Sequence, residues 1–425
     1  MKKYLLIALA VMVFATPVMA QPTLSGTFRL GAFWDVQDQN YASRLDRARL
    51  VLRSNIDEFN AVRFEMRADR PRQSGDGTIA GRSSSRMGSF GDHGEGNEVL
   101  MRLNQATVTT NWAKYFEFED AVGLTTTIGY GAFGTFDRLG FTIWGIGGQA
   151  WATAQDFGGR IDFNIANGIV RPYAATAFAA YSGSASFLLG AGIDLSSVID
   201  AADIWLEAFF LNDGATFDDG TPVGKRGIGA ELLVGVPIND DMKVSVGGVL
   251  DIRNGAFNTR NVPHADTASL STGDSLLMGG KGDLETLFKA FLGFDAFGAN
   301  LGLAFLGGVN DKDMGWFPMG LLAVSANYDI TKFLAIQAGG KFAFADYAKE
   351  VAGDESWLGA QFGVVVRPGR VRYDIAYLVL NDKAQGMYFT DTWGLGNSGQ
   401  PNGITSPSRA GDSKGGIMFA AAASF

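Results

Sequence analysis

Apolar residues recur at every second position in one segment after another along almost the whole chain. Leu24, Gly26, Phe28, Leu30, Ala32 and Trp34 alternate with Ser25, Thr27 and Arg29. Val62, Phe64, Met66 and Ala68 alternate with Arg63, Glu65, Arg67 and Asp69, and Val244, Val246, Leu250 and Ile252 with Lys243, Ser245, Asp251 and Arg253. Tyr373, Ile375, Tyr377 and Val379 alternate with Arg372 and Asp374. Successive side chains of a strand point to opposite faces, so each segment is a strand with one apolar face and one polar or charged face. Two architectures carry that pattern: a β-sandwich, apolar inside and wet outside, and a membrane barrel, apolar outside and wet inside.

The connections choose between them. The pattern predicts strands near 24–35, 44–54, 61–70, 98–109, 122–131, 157–166, 169–180, 184–195, 203–211, 226–236, 242–253, 285–296, 299–309, 317–328, 333–346, 357–367, 371–381 and 415–425. Every second gap is short: 55–60, 167–168, 196–202, 237–241, 297–298, 329–332 and 368–370, with 110–121 somewhat longer. The intervening gaps, 71–97, 132–156, 212–225, 254–284 and 382–414, are mostly long and polar. Short turns at one end and long loops at the other define a transmembrane antiparallel up-and-down β-barrel, with periplasmic turns and extracellular loops. The expected fold class is therefore all-β, with about 18 strands. Ambiguous phase in 98–109 and 157–166 leaves 16 as the alternative.

Both ends of the chain fit. Lys2-Lys3, the apolar run Tyr4 to Phe14 and the small-residue site Val18-Met19-Ala20 read as a signal peptide over 1–20, with the barrel filling 21–425. Thr16 and Pro17 interrupt the run well short of the roughly 20 apolar residues of a spanning helix. At the other end Ile417, Phe419, Ala421, Ala423 and Phe425 share one face of a strand that stops with the chain. A barrel needs such a strand to pair with the first and leave no open edge in lipid.

Of the 425 residues 47% are hydrophobic, and the mean hydropathy is +0.07. That is high for an exported protein with no segment long enough to span as a helix. There is no Cys, hence no disulfide framework. The formal net charge is −9, which argues against nucleic acid as a partner. Trp112, Tyr115, Phe116 and Phe118 cluster at a predicted periplasmic turn, and Trp34, Trp316, Trp357 and Tyr347 lie near predicted outer strand ends. Amphipathic rings favour the two membrane interfaces.

The leader, the strand opening at Thr23-Leu24-Ser25-Gly26, the Arg-bearing early hairpin and the terminal Phe425 together resemble a bacterial outer-membrane porin. The segment Arg44 to Arg70 is similar to the start of phosphate-type and related anion porins. The resemblance implies an outer-membrane location, a homotrimer and a constriction loop folded into the lumen. It also implies recognition of Phe425 as an assembly signal by the barrel assembly machinery.

A barrel of this size is too wide for side chains to fill and leaves an aqueous channel for small hydrophilic solutes. Arg29, Arg47, Arg49, Arg53, Arg63 and Arg67 fall on the predicted lumen face of the first three strands, with Glu65 and Asp69 as the acids among them. Stacked on neighbouring strands they form a ladder that concentrates anions. The alternative is that they pair with acids of the constriction loop and stiffen the wall. The opposite wall reads as mixed, with Lys243, Lys289, Lys341, Arg367 and Arg372 beside Asp251, Asp295 and Asp374. The candidate constriction loop is 132–156, rich in glycine and carrying Phe136, Asp137, Arg138, Trp144 and Trp151. Asp137 is placed to oppose the ladder. The two tryptophans either offer sugars an apolar track or pack the loop on the wall.

Catalysis has little to stand on. The two histidines, His93 and His264, lie in predicted external loops without a convincing nucleophile and orienting acid. Two distant histidines and no Cys make no zinc site, and no cofactor is expected. Reception or adhesion through loops 71–97, 254–284 and 382–414 is the competing role.

Overall fold

The computed structural model describes residues 22–36, 41–69, 89–90, 100–118, 122–136, 138, 142–143, 146–147, 156–178, 185–213, 226–253, 284–310, 319–344, 357–380 and 415–425. In chain order the strands are β1 (Thr23–Asp35), β2 (Tyr41–Asn55), β3 (Asn60–Asp69), β4 (Ser89–Phe90), β5 (Leu100–Asn111), β6 (Val122–Gly131), β7 (Thr142–Ile143), β8 (Ile146–Gly147), β9 (Asp156–Ile165), β10 (Val170–Phe178) and β11 (Ala185–Asp194). They continue with β12 (Asp203–Asp213), β13 (Arg226–Asn239), β14 (Met242–Arg253), β15 (Leu284–Ala296), β16 (Ala299–Asn310), β17 (Met319–Thr331), β18 (Leu334–Phe344), β19 (Trp357–Val366), β20 (Val371–Leu380) and β21 (Gly415–Ser424). All but the two-residue β4, β7 and β8 belong to one closed ring of 18 antiparallel strands. Each long strand pairs with the next in sequence, and β21 returns to β1. All 18 predicted strands are present, their ends displaced by about three residues at most, and the 16-strand alternative falls away.

The faces are sorted as a membrane barrel requires. Ile128, Phe178, Leu232, Leu250, Phe362 and Ile375 stand on the outer wall, and Ile128 is 64% exposed. Their sequence neighbours of opposite phase, among them Glu231, Val249, Asp251, Gln361 and Asp374, are buried on the inner wall. Apolar area left open on this scale is stable only against hydrocarbon.

One expectation needs correcting. The inner face is not uniformly polar: Ala177, Leu188, Ala304, Ala323, Ala335 and Val365 point inward and are fully buried. Small or branched side chains on a curved wall are shielded by their longer neighbours, so an inner position need not be polar to be stable.

The seam between β1 and β21 is extended by one further pair, Gly26 with Phe425. The Gly26 N–H donates to the Phe425 carbonyl at 2.9 Å, and the Phe425 N–H donates back to Gly26 at 3.1 Å. The Phe425 ring lies over Gly26, where an added Cβ would come within 2.5 Å of its Cζ and 2.7 Å of the Arg49 carbonyl. Only glycine fits beneath the ring. Gly26→Leu is expected to expel the ring and destabilise the barrel by about 1–3 kcal/mol. The check is the fraction that keeps folded, heat-modifiable gel mobility after reconstitution.

The short connections have ordinary turn chemistry. Phe297 and Gly298 both have positive φ, 50° and 81°, the backbone of a two-residue hairpin that matches strand twist. At Ile56–Phe59 the Asp57 carboxylate accepts from the backbone N–H of Phe59 at 2.8 Å and of Asn60 at 2.7 Å. The longer connection after β5 holds a single helical turn, Trp112–Tyr115, capped by the Asn111 side chain. Trp112 donates its indole N–H to Thr126 on the outer wall at 2.9 Å, and Tyr115 and Phe116 remain exposed.

Candidate solute pathway

The early arginines meet on the inner wall because strand register stacks them. Arg49 lies opposite Arg67, and Arg53 opposite Arg63, across β2 and β3. Arg29 lies opposite Arg47 across β1 and β2, their side chains falling outside the described ones. Val51 faces Glu65 in the middle of the stack. Glu65 is 2% exposed and binds Arg49 at 2.7 Å, Arg63 at 2.8 Å and the Asn104 amide at 2.7 Å. The acid that stiffens these arginines therefore belongs to the wall itself, where the alternative reading looked to the loop. The Glu65 carboxylate is shared by Arg49 and Arg63, so two guanidinium groups stand on this one acid. Such a patch sits stably on a water-facing wall because its charges stay partly hydrated.

On the far side the wall is shaped for a docked loop. Tyr173 on β10, Leu188 on β11, and Phe209 and Leu211 on β12 form an inward apolar cluster that takes in Phe133, with Phe136 packed against it. Tyr173 and Phe136 meet edge to face, centroids 5.0 Å apart, and Trp205 takes the other side of Phe136 at 5.3 Å. The Arg160 guanidinium lies 4.6 Å from the Phe136 centroid and 4.3 Å from that of Tyr173, and it donates to the Gly134 carbonyl.

Glu207 is the centre of the arrangement. It is 3% exposed, accepts the Tyr173 hydroxyl at 2.5 Å and accepts the Phe136 backbone N–H through both oxygens at 3.2 Å. A buried carboxylate is stable only when its oxygens are satisfied, and here the loop supplies a donor. Arg138 adds a second clasp, 4.9 Å from the Trp205 ring and 3.5 Å from Asp194.

From this anchorage the chain reaches across the barrel. The small hairpin β7–β8 lies against β16 and β17. Those strands are eight and nine places round the ring of 18 from β6, where the segment begins, so they form the opposite wall. The described parts of the connection between β6 and β9 thus touch the wall in two separate places, β9 to β12 through the clasp and β16 and β17 through the hairpin.

Two acids missed by sequence reasoning, Glu207 and Glu231, are register partners on β12 and β13, and Asp251, assigned to this wall from its phase, follows on β14; all three are inward and buried. Glu231 accepts the Trp205 indole N–H at 3.2 Å. These strands face β2 and β3 across the ring, so carboxylates stand opposite arginines. The signal was present in Trp205-Leu206-Glu207-Ala208-Phe209, a lone acid between two aromatics of the same phase. Of the loop candidates, Phe136 and Arg138 are in the clasp, while Asp137, Trp144 and Trp151 lie outside the described residues. Phe425 is in the seam. Among the described residues no group of His, Asp and Glu is arranged to hold a metal ion.

These features define a transmembrane-type β-barrel with a loop clasped to its inner wall. Across 95% of its length the chain is similar to OccAB2 of Acinetobacter baumannii (TM-score 0.48, 10% identity, 98% of that chain). It is similar over the same share to OmpF of Salmonella typhi, solved with daunomycin (TM-score 0.45, 11% identity, 97% of that chain). The outer membrane channel DcaP of Acinetobacter baumannii is similar over 96% (TM-score 0.41, 9% identity, 99% of that chain). No family model and no curated protein matches the sequence.

Proposed function

We propose that this chain is an outer-membrane porin, a water-filled and energy-independent path for small hydrophilic solutes, without catalytic activity. The observation that supports this most is the combination of a closed 18-strand ring, an apolar exterior and charged groups on the inner wall. The segment 132–156 is the constriction in this reading, with Phe136 and Arg138 in its clasp. The surroundings it implies are outer-membrane lipid, assembly through Phe425, and a homotrimer. Arginines stacked on β2 and β3, with Arg49 and Arg63 sharing the one carboxylate of Glu65, favour anions in this reading.

Planar-bilayer conductance of the folded protein tests the proposal. A reversal potential of anion-selective sign is expected in a salt gradient. The double replacement Arg53→Gln and Arg63→Gln is expected to lower the anion-to-cation permeability ratio about two- to threefold. A cation-selective wild type removes the anion preference and leaves the pore; folded protein without conductance removes the pore.

A further inference from the structure

Next to the clasp, on the inner wall, lies a cleft of about 530 Å³, the size of small-molecule sites in general. Phe136 and Thr135 of the docked segment line it, and β6, β9 and β10 supply Thr125, Asp162, Asn164 and Arg171. Its charges come as two ion pairs. Arg160 binds Asp162 at 2.6 Å and Arg171 binds Asp194 at 3.3 Å. Neither pair is exhausted. Both of the Arg160 bonds fall on Oδ1 of Asp162, leaving Oδ2 without a hydrogen bond among the described residues. Arg171 uses Nε on the Gly168 carbonyl at 2.8 Å and Nη2 on Asp194, leaving Nη1 unused there. The Asn164 amide and the Thr125 hydroxyl also have no hydrogen-bond partner among the described residues, and both line the cleft.

The cleft lining carries both signs of charge, Arg160 and Arg171 beside Asp162, so a simple ion meets a like charge next to each opposite one. A molecule carrying both charges meets a vacant carboxylate oxygen and a vacant guanidinium N–H in the same space. We propose that the cleft is a binding station for small zwitterions of amino-acid or dipeptide size. The ligand's ammonium goes to Asp162, its carboxylate to Arg171, and its amide or hydroxyl groups to Asn164 and Thr125. This assignment rests on the reading of the barrel as a solute path and names a solute class for it.

The test is equilibrium dialysis of radiolabelled glycylglycine against the folded full-length protein in detergent, with acetate and ethylammonium as competitors at constant ionic strength. Saturable binding is expected, with each half-molecule competing at least tenfold more weakly than unlabelled glycylglycine. Arg171→Gln and Asp162→Asn are each expected to weaken binding about tenfold, and Arg171→Lys to restore part of the loss. Because Asp162→Asn also releases Arg160, Asn164→Ala serves as a second probe, with an expected loss of about threefold. Acetate competing as well as glycylglycine overturns the proposal, as does binding indifferent to Asp162→Asn and Asn164→Ala in folded protein. Conductance of the same preparation in plain salt separates the two claims. Current without glycylglycine binding sinks the zwitterion station alone, whereas binding without current sinks the porin reading and keeps the station.

Discussion

Single-channel conductance is expected to rise when Glu207 is replaced by alanine. The carboxylate is the shared acceptor for the Tyr173 hydroxyl and the Phe136 backbone N–H, and it lies where water does not reach. A hydrogen bond to a charged group contributes about 1.5–3 kcal/mol, so losing the bond to Phe136 shifts docking of the loop by roughly ten- to a hundredfold. The anchors that remain include Arg160 on Gly134, the aromatic contacts of Phe136, and Arg138 on Asp194 and Trp205. Glu207→Gln retains an acceptor oxygen and is expected to have the smaller effect. Tyr173→Phe leaves the bond to Phe136 and is expected to change conductance little. A readout independent of current is available because the chain has no cysteine. Thiol labelling of Thr135→Cys, a buried position in the docked segment, should speed up in the Glu207→Ala background. Unchanged conductance together with unchanged labelling would mean that the loop is held elsewhere.

The second large effect concerns two adjacent leucines in the middle of β13. Leu232 stands on the outer wall, exposed, and Leu233 has the phase of the buried Glu231. Arginine at an outward position near the bilayer midplane costs about 2–4 kcal/mol. Leu232→Arg is therefore expected to lower the urea midpoint of unfolding from lipid vesicles by that equivalent. Leu233→Arg places the same charge toward the aqueous interior and should cost under about 1 kcal/mol. Equal costs, or the reverse order, would contradict the assignment of faces on which the barrel rests.

The fold was largely legible because its signal is local. Period-two alternation can be read within one segment, and the alternation of short and long gaps can be read between them. Even Val122–Gly131, with its run of threonines, was bounded correctly. The pathway was less legible because partners are not local. The arginines of β2 and β3 were visible by phase, but the role of Glu65 as their joint clamp depends on register across three strands. Glu207 escaped because its significance comes from Phe136, a residue 71 positions away that reaches it only when the segment folds inward. The acid expected to oppose the arginines was Asp137 of the loop, which lies outside the described residues, while Glu207 and Glu231 are buried on the inner wall. The inward alanines and valines escaped for another reason: alternation separates faces by polarity, and a shielded inner position places no demand on polarity.

The seam has a bearing on when this protein can finish folding. Its two halves, Gly26 and Phe425, are nearly the full chain apart, and neither Thr23–Asp35 nor Gly415–Ser424 has a second neighbour until they meet. Closure is thus the pairing with the greatest loop entropy to overcome. Until they meet, each of these strands would leave one edge unpaired, and an unpaired edge is open to joining with another copy. Sealing the wall therefore waits on the two described segments that lie farthest apart in sequence.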